Sequence, residues 1–411
     1  MQKPRPAPSV AIACGGTGGH LFPGLAVAEE LNRRDCRVSL LISPREVDQQ
    51  SVRQTREREV VTLPAVGLTR GGFFRFARGF AQSYFAARKF FQSRRPAAVL
   101  SMGGFTAAPP VLAGRRTGAK TFLHESNTIP GRANRWLAHF VDEGFVYFHE
   151  ASGRMNLARI HLSGMPVRSQ FLEPVDPASA RVALGLQPHK PVLLVMGGSQ
   201  GASALNELIT ETLPRLAPSA PGLQFLHLTG ANDWKRVEAA YATQKLTAVV
   251  RPFLTEMELA LGAATLAVSR AGASSLAELA AMRVPAILIP YPTAADDHQF
   301  HNARAFVDSG AARMLEQKPL APERLAEEIA GFLVAEDELT RTRCALEKWR
   351  TPAAAEKIAV HILDAIAENL SPALGTSLST SAPSRDEAGG AGSSETGWRR
   401  VGNFNCVQRS V

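Results

Sequence analysis

The sequence predicts an α/β protein made of two doubly wound parallel sheets. Strand-like and helix-like segments alternate from about residue 9 to residue 316, the pattern of parallel strands joined by crossover helices. The alternation breaks over residues 164–177, which are rich in turn formers, and restarts after Lys190. Both halves open alike, with an apolar run feeding a glycine-rich loop: S-V-A-I-A-C-G-G-T-G-G-H at residues 9–20 and P-V-L-L-V-M-G-G-S-Q-G-A at residues 191–202.

Taken in order, residues 9–13 form a short apolar run suited to a strand buried on both faces. A helix is expected over residues 23–33, strands over 37–43 and 60–66, a helix over 73–93, and strands over 98–102 and 120–124. The second half begins with the strand at Pro191. Its strand at residues 266–268 enters a small-residue turn, and a helix starts near Ser274. A buried strand at 286–290 follows, then a polar loop holding Asp296, Asp297, His298, Gln299 and Asn302. Helices over 322–335 and 351–369 close the ordered chain. The expected division is 1–167, 168–370 (its last helix able to cross back to the first domain) and 371–411. The last stretch is rich in Ser, Gly, Ala, Thr and Pro and is expected as a disordered tail.

Composition narrows the class. The chain has 411 residues, 45% of them hydrophobic, enough for two cores. Cys14, Cys36, Cys344 and Cys406 have no ligand spacing, which argues for a reducing compartment and against a zinc or disulfide framework. No apolar run approaches the ~20 residues of a membrane span, and no signal-peptide core follows the basic N-terminus. A cytoplasmic protein is expected. A formal charge of +9 suits an anionic partner without choosing among nucleic acid, membrane and anionic substrate.

Several residues can carry chemistry. Only residues without bulk let a backbone approach a diphosphate, as the loop at Gly15–His20 could. The loop is not a dinucleotide fingerprint, because Leu21 stands where a third glycine is needed, and no Lys-Ser/Thr follows to make a Walker loop. His20 beside it is a candidate general base, or a hydrogen-bonded structural histidine. Ser199 in the second loop can donate to a phosphate or cap a helix. Glu125 and Asn127 sit at a strand end, where open α/β sheets bind ligands, and Glu125 is a second candidate base; capping of the next helix is the plainer alternative. The strand–turn–helix at residues 266–278 points free N–H groups and a helix dipole at any phosphate there. Glu278 could accept from the vicinal hydroxyls of a ribose; an ordinary βαβ turn is the alternative. No D-x-D triplet occurs, so no metal is expected. A leaving diphosphate would rest on backbone amides, Arg168 and helix N-termini. Residues 73–95 mix Phe73, Phe76, Phe80, Tyr84 and Phe91 with Arg75, Arg78, Arg88, Lys89, Arg94 and Arg95. They read equally as a core helix with a basic face or as an interfacial helix for anionic lipid. Nucleic acid is not expected, since no recognition module surrounds them.

Six motifs occur in a specific order: G-G-T-G-G-H-L-F-P-G-L-A-V-A from Gly15, H-E-S-N from His124, P-V-R from Pro166, G-G-S-Q-G-A from Gly197, R-A-G-A-S-S-L-A-E from Arg270 and D-D-H-Q-F-H-N-A from Asp296. Together they resemble the MurG family of bacterial cell-wall N-acetylglucosaminyltransferases, over about residues 9–370. One departure is Met165, where the family usually has asparagine. The resemblance implies a GT-B glycosyltransferase, with two Rossmann-like domains facing across a cleft. It implies inverting transfer of N-acetylglucosamine from UDP-GlcNAc to the 4-hydroxyl of the N-acetylmuramoyl sugar of lipid I, giving lipid II, without a cofactor. It places the acceptor and the anionic membrane surface at domain 1–167, the donor at 168–370, and the enzyme on the cytoplasmic face of the inner membrane. Carried over, Glu278 binds the ribose, and Ala273, Ser274, Ser275, Leu276 and Ala277 line the diphosphate turn. Ser199 and Arg168 meet phosphate, Leu254 meets uracil through its backbone, and Gln299 holds the sugar hydroxyls. Thr17, Gly18, Gly19 and Asn127 close from the other half, with His20 as base and Glu125 behind it. A UDP-sugar 2-epimerase of the same fold is the competing enzyme class.

Overall fold

A computed structural model describes residues 7–369 of the chain, except 17, 46–48, 50–58, 65–71 and 199–200. The expected tail, Thr17 and Ser199 therefore lie outside the described residues.

The first sheet has seven strands: β1 (Ser9–Ala13), β2 (Arg37–Ile42), β3 (Glu59–Thr62), β4 (Ala98–Ser101), β5 (Lys120–Glu125), β6 (Glu143–Val146) and β7 (Ile160–Leu162). They pair in parallel in the order β3-β2-β1-β4-β5-β6-β7. The helices of this half are α1 (Gly18–Asn32), α2 (Phe73–Arg94), α3 (Ala108–Arg116) and α4 (Arg132–Leu137). Because strand side chains alternate between faces, Val10 and Ile12 pack with α1 residues such as Leu21 and Leu25. Ala11 and Ala13 pack with Ala87 and Phe91 of α2 and Val111 of α3. Helix α1 lies close on β1 because Gly24 faces Cys14; a Cβ there would stand 2.6 Å from the Cys14 Cβ.

The second sheet has six parallel strands, β8 (Val192–Met196), β9 (Gln224–Leu228), β10 (Ala248–Arg251), β11 (Leu266–Ser269), β12 (Ala286–Leu288) and β13 (Arg313–Met314), in the order β10-β9-β8-β11-β12-β13. The remaining helices are α5 (Pro177–Ala183), α6 (Ser203–Ser219), α7 (Trp234–Thr243), α8 (Met257–Ala263), α9 (Ala273–Ala281), α10 (His298–Asp308), α11 (Pro322–Val334), α12 (Glu336–Glu347) and α13 (Ala354–Asn369). Val192, Leu194 and Met196 face the layer containing Leu276 and Phe306. Leu193 and Val195 face Leu205, Val237 and Ile329.

Helix α1 begins at Gly18, five residues before the expected start, and carries Pro23 inside it. Helix α12 lies in a stretch with no expected element; its acidic first turn and short apolar face give a weak periodic signal. In helix α13, Ile358, Ile362 and Ile366 pack with Val10, Leu25 and Phe122 of the first half. The return passes beside the outward crossing. Met165 N donates to Thr351 Oγ1 at 3.2 Å, and Thr351 Oγ1 donates to Met165 O at 3.3 Å.

Candidate active-site cleft

In each sheet the strand order reverses beside the first strand, between β1 and β4 and between β8 and β11. Crevices form at the carboxyl ends of such switch points. Here both crevices open onto one cavity of ≈ 1230 Å³, lined from the first half by Gly18, Gly19, His20 and Asn127 and from the second by Leu254, Ser274, Glu278 and Gln299.

Two helix N-termini meet in it. The first turn of α1 supplies Gly18 and Gly19, and the first turn of α9 supplies Ala273, Ser274 and Ser275. Pro23 has no N–H, so the Gly19 carbonyl four residues earlier lacks its helical partner. That carbonyl accepts a hydrogen bond from Ser274 Oγ at 3.1 Å across the cleft. Gly272, the residue before α9, is extended and provides no side-chain cap, so the first N–H groups of α9 are left for a ligand. Two dipoles converging on one cavity favour an anion.

Glu278 lies one turn beyond Ser274, on the same helix face. Burial pushes its carboxyl up from 4.5 to about 7, against the opposing charge of Arg168. The Arg168 guanidinium is held over the rings of Phe22, at 4.5 Å, and Phe171, at 4.9 Å. Its Nε is buried with no hydrogen-bond partner among the described residues. Gln299 Oε1 accepts from Tyr291 N at 3.0 Å and Ala271 N at 3.3 Å. This leaves the amide NH₂ as the end available to a ligand.

His20 packs on the loop after β4. A Cβ built on Gly103 would stand 3.1 Å from His20 Nε2, and Gly103 has a φ of +108°, so glycine there both permits the turn and makes room for the ring. Below it, His124 is buried and bonds through Nε2 to the Gly164 carbonyl at 3.1 Å. Burial pushes His124 down to about 4, so it is neutral at physiological pH.

Glu125 is not on the cavity wall. Its Oε1 accepts from Asn127 N at 2.9 Å and Asn127 Nδ2 at 3.1 Å, and its Oε2 from Gly131 N at 2.9 Å and Asn134 Nδ2 at 2.8 Å. Burial pushes its carboxyl up, and these bonds pull the other way. Both oxygens are thus occupied in shaping the loop that presents Asn127. Leu276 and Ala277 also fall outside the cavity; both pack in the core of the second half. Gly18, Gly19, His20, Asn127, Arg168, Leu254, Ala273, Ser274, Ser275, Glu278 and Gln299 all line it.

Asn302, expected in a polar loop, stands in helix α10. It is fully buried. Its Oδ1 accepts from Thr128 N at 2.9 Å and Thr128 Oγ1 at 3.0 Å, and its Nδ2 donates to Asn127 Oδ1 at 3.0 Å and Ala271 O at 3.2 Å. One amide therefore ties the two walls together. Asp296 adds an outer tie to Arg132 at 3.0 Å and Arg135 at 2.6 Å.

Beyond the cleft, α2 carries Phe74 (88% exposed) and Phe85 (61%), and Trp136 of α4 is 43% exposed. Arg75, Arg78, Arg88 and Lys89 are exposed on the same helix. Phe76 and Phe80 instead pack in a ring cluster with Phe105 and Trp136. No helix among the described residues is long and apolar enough to cross a membrane.

Residues 10–146 match the glycosyltransferase family 28 N-terminal domain and residues 192–358 the family 28 C-terminal domain. A UDP-N-acetylglucosamine–N-acetylmuramyl-(pentapeptide) pyrophosphoryl-undecaprenol N-acetylglucosamine transferase of Syntrophus aciditrophicus is 38% identical over 79% of this chain and 89% of its own. The protein of the same name from Geobacter sulfurreducens is 40% identical over 78% and 89%. A crystal structure of Acinetobacter baumannii MurG superposes with a TM-score of 0.68 at 28% identity, covering 87% of this chain and 100% of that one. A putative UDP-N-acetylglucosamine 2-epimerase of Listeria monocytogenes shares the fold, with a TM-score of 0.65 over 88% of this chain and 97% of that one, at 14% identity.

Proposed function

The chain belongs to glycosyltransferase family 28, and from that premise we infer how its cleft works. It is a hexosyltransferase that moves N-acetylglucosamine from UDP-GlcNAc to the N-acetylmuramyl sugar of lipid I, forming lipid II for peptidoglycan. The observation that carries the mechanistic reading is the meeting of the α1 and α9 N-termini, joined by Ser274 and Gly19. The donor diphosphate sits between them, and Arg168 offsets the charge that grows as it leaves. Glu278 accepts from the ribose hydroxyls, the Leu254 backbone meets uracil, and the Gln299 NH₂ donates to the transferred sugar.

The acceptor 4-hydroxyl attacks the anomeric carbon in line with the leaving diphosphate, so the configuration inverts. One C–O bond forms as the other breaks, and the hydroxyl proton passes to His20. A neutral imidazole is needed for that, and the Gly103–Gly104 loop holds the ring in place. Glu125 serves as a positioning residue for Asn127 rather than as a base. Closure of the two walls through Asn302 excludes water, which would otherwise hydrolyse the donor. Phe74, Phe85 and Trp136, with the cations of α2, dock the first half on the anionic cytoplasmic leaflet, where the lipid acceptor lies. The 2-epimerase reading has only fold likeness behind it.

The test is transfer of labelled N-acetylglucosamine from UDP-GlcNAc to a short-chain lipid I analogue, with and without a chelator. A disaccharide product that survives chelation supports diphosphate stabilisation by protein groups. Product lost on chelation and restored by magnesium but not by zinc overturns that part, and donor epimerised without transfer overturns the assignment.

A further inference from the structure

Away from the cleft, three side chains with metal-ligand chemistry meet where α13 returns to the first sheet. We propose that Glu143, His161 and His361 form a binding site for a divalent transition-metal ion of the zinc type, which fastens α13 to the edge of that sheet.

Strands β6 and β7 are parallel neighbours, with Phe145 opposite His161. Glu143 and Phe145 share a sheet face by strand alternation, so Glu143 and His161 share it too. His361 reaches the same point from α13. His161 Nε2 lies 2.8 Å, and His361 Nε2 2.7 Å, from a single oxygen, Glu143 Oε2. The two imidazole centroids are 4.1 Å apart, and one potential ligand atom from each residue lies within 4.8 Å of the others. Three elements thus aim three ligand atoms at one point. The Phe145 ring, 5.7 Å from His161 and 5.5 Å from His361, backs both imidazoles.

Ligand atoms about 2.0–2.1 Å from a tetrahedral zinc ion stand roughly 3.3 Å apart. Opening the present spacing to that value needs only small side-chain rotations. The metal takes the place of the two Nε2 protons, which move to Nδ1. Because the His161 and His361 side chains are 38% and 33% exposed, those Nδ1–H groups can reach water, and water can fill the fourth position. Arg159, 3.5 Å from Glu143 Oε1, steadies the other carboxylate oxygen in the way outer partners orient metal ligands. Two imidazoles and one carboxylate favour zinc, cobalt or nickel over magnesium or calcium, which prefer oxygen. None of the three residues lines the cleft, so the ion has a fastening role and not a catalytic one.

The experiment uses full-length, chelator-stripped protein. Equilibrium dialysis against ZnCl₂ should give one equivalent bound, and zinc should raise Tm. Co²⁺ should give a visible spectrum of nitrogen and oxygen ligation without thiolate charge-transfer bands. His361→Ala and Glu143→Gln should each weaken zinc binding by more than about tenfold and remove the Tm response. His161→Gln, at a partly exposed position, should do the same in a protein whose unliganded Tm is near wild type, which separates lost binding from lost folding. No stoichiometric zinc, thiolate bands in the cobalt spectrum, or undiminished binding in His161→Gln would each overturn the proposal.

Discussion

Replacing Glu278 with glutamine separates what this residue does for binding from what it costs in stability. The side chain keeps its shape and becomes permanently neutral. In the folded protein the carboxyl is raised from 4.5 to about 7. Below the lower value both folded and unfolded chains hold the proton, and burial of the group carries no charge penalty. Between the two values only the folded chain holds it, so stability falls as pH rises through that window. Above about 7 both forms are ionised and the full penalty is present. At ~1.36 kcal/mol per pH unit the penalty is at most ~3.4 kcal/mol. Water in the open cavity screens it, and about 1–2 kcal/mol is the expected remainder. Urea midpoints of wild type and Glu278→Gln, without substrates, should therefore coincide near pH ~4 and diverge toward pH ~8, with the variant the more stable. Donor affinity, measured at the alkaline end, should move the other way, because a glutamine accepts from two ribose hydroxyls less well than a carboxylate. Stability curves that run parallel across the whole range would refute the reasoning about burial. A more stable variant with unchanged donor affinity would refute the ribose contact alone.

Ser274→Ala should cost about 0.5–1.5 kcal/mol and weaken donor binding, and Pro23→Ala should weaken donor binding as well, since a new N–H at that position would compete for the Gly19 carbonyl; donor titrations of both variants check this. Asn302→Leu leaves the Thr128 N–H and the Ala271 carbonyl buried without partners and should lower stability by about 2–4 kcal/mol, read as a shift in the urea midpoint. Gly103→Ala, strained at positive φ and pressed on His20, should lower kcat roughly tenfold or more while leaving donor KM nearly unchanged; equal changes in both would point to a wider distortion. Phe74→Ser with Phe85→Ser should reduce binding to anionic vesicles and spare transfer to a soluble acceptor, whereas Phe76→Ser with Phe80→Ser should lower Tm, because those rings pack in the cluster with Phe105.

The doubly wound halves were legible because buried parallel strands read as apolar runs, and the two glycine loops marked where each half starts. The strand–turn–helix unit over residues 266–281 was legible for the same reason. What it did not reveal was which residues reach the cavity: Ser274, Ser275 and Glu278 line it, whereas Leu276 and Ala277 pack in the core, and Ala277, three residues after Ser274, is not separated from it by the helical period. Glu125 looked like a catalytic carboxylate because nothing local shows that Asn134, nine residues on, will donate to it. Asn302 is the clearest omission. Its position three residues after Gln299 puts it on the same face of α10, but its partners come from residues 127, 128 and 271, and contacts that distant leave no local pattern. Helix α12 escaped because most of its length is polar.

The paired passage at Met165 and Thr351 has a mechanical consequence. A protein whose halves are joined by one strand can swing about any axis through that strand. Here the chain crosses twice, and Met165 and Thr351 tie the two crossings side by side, so the halves cannot part at that point without breaking both hydrogen bonds. Any rearrangement of the cleft walls must therefore carry the two crossings together, as one joint rather than two.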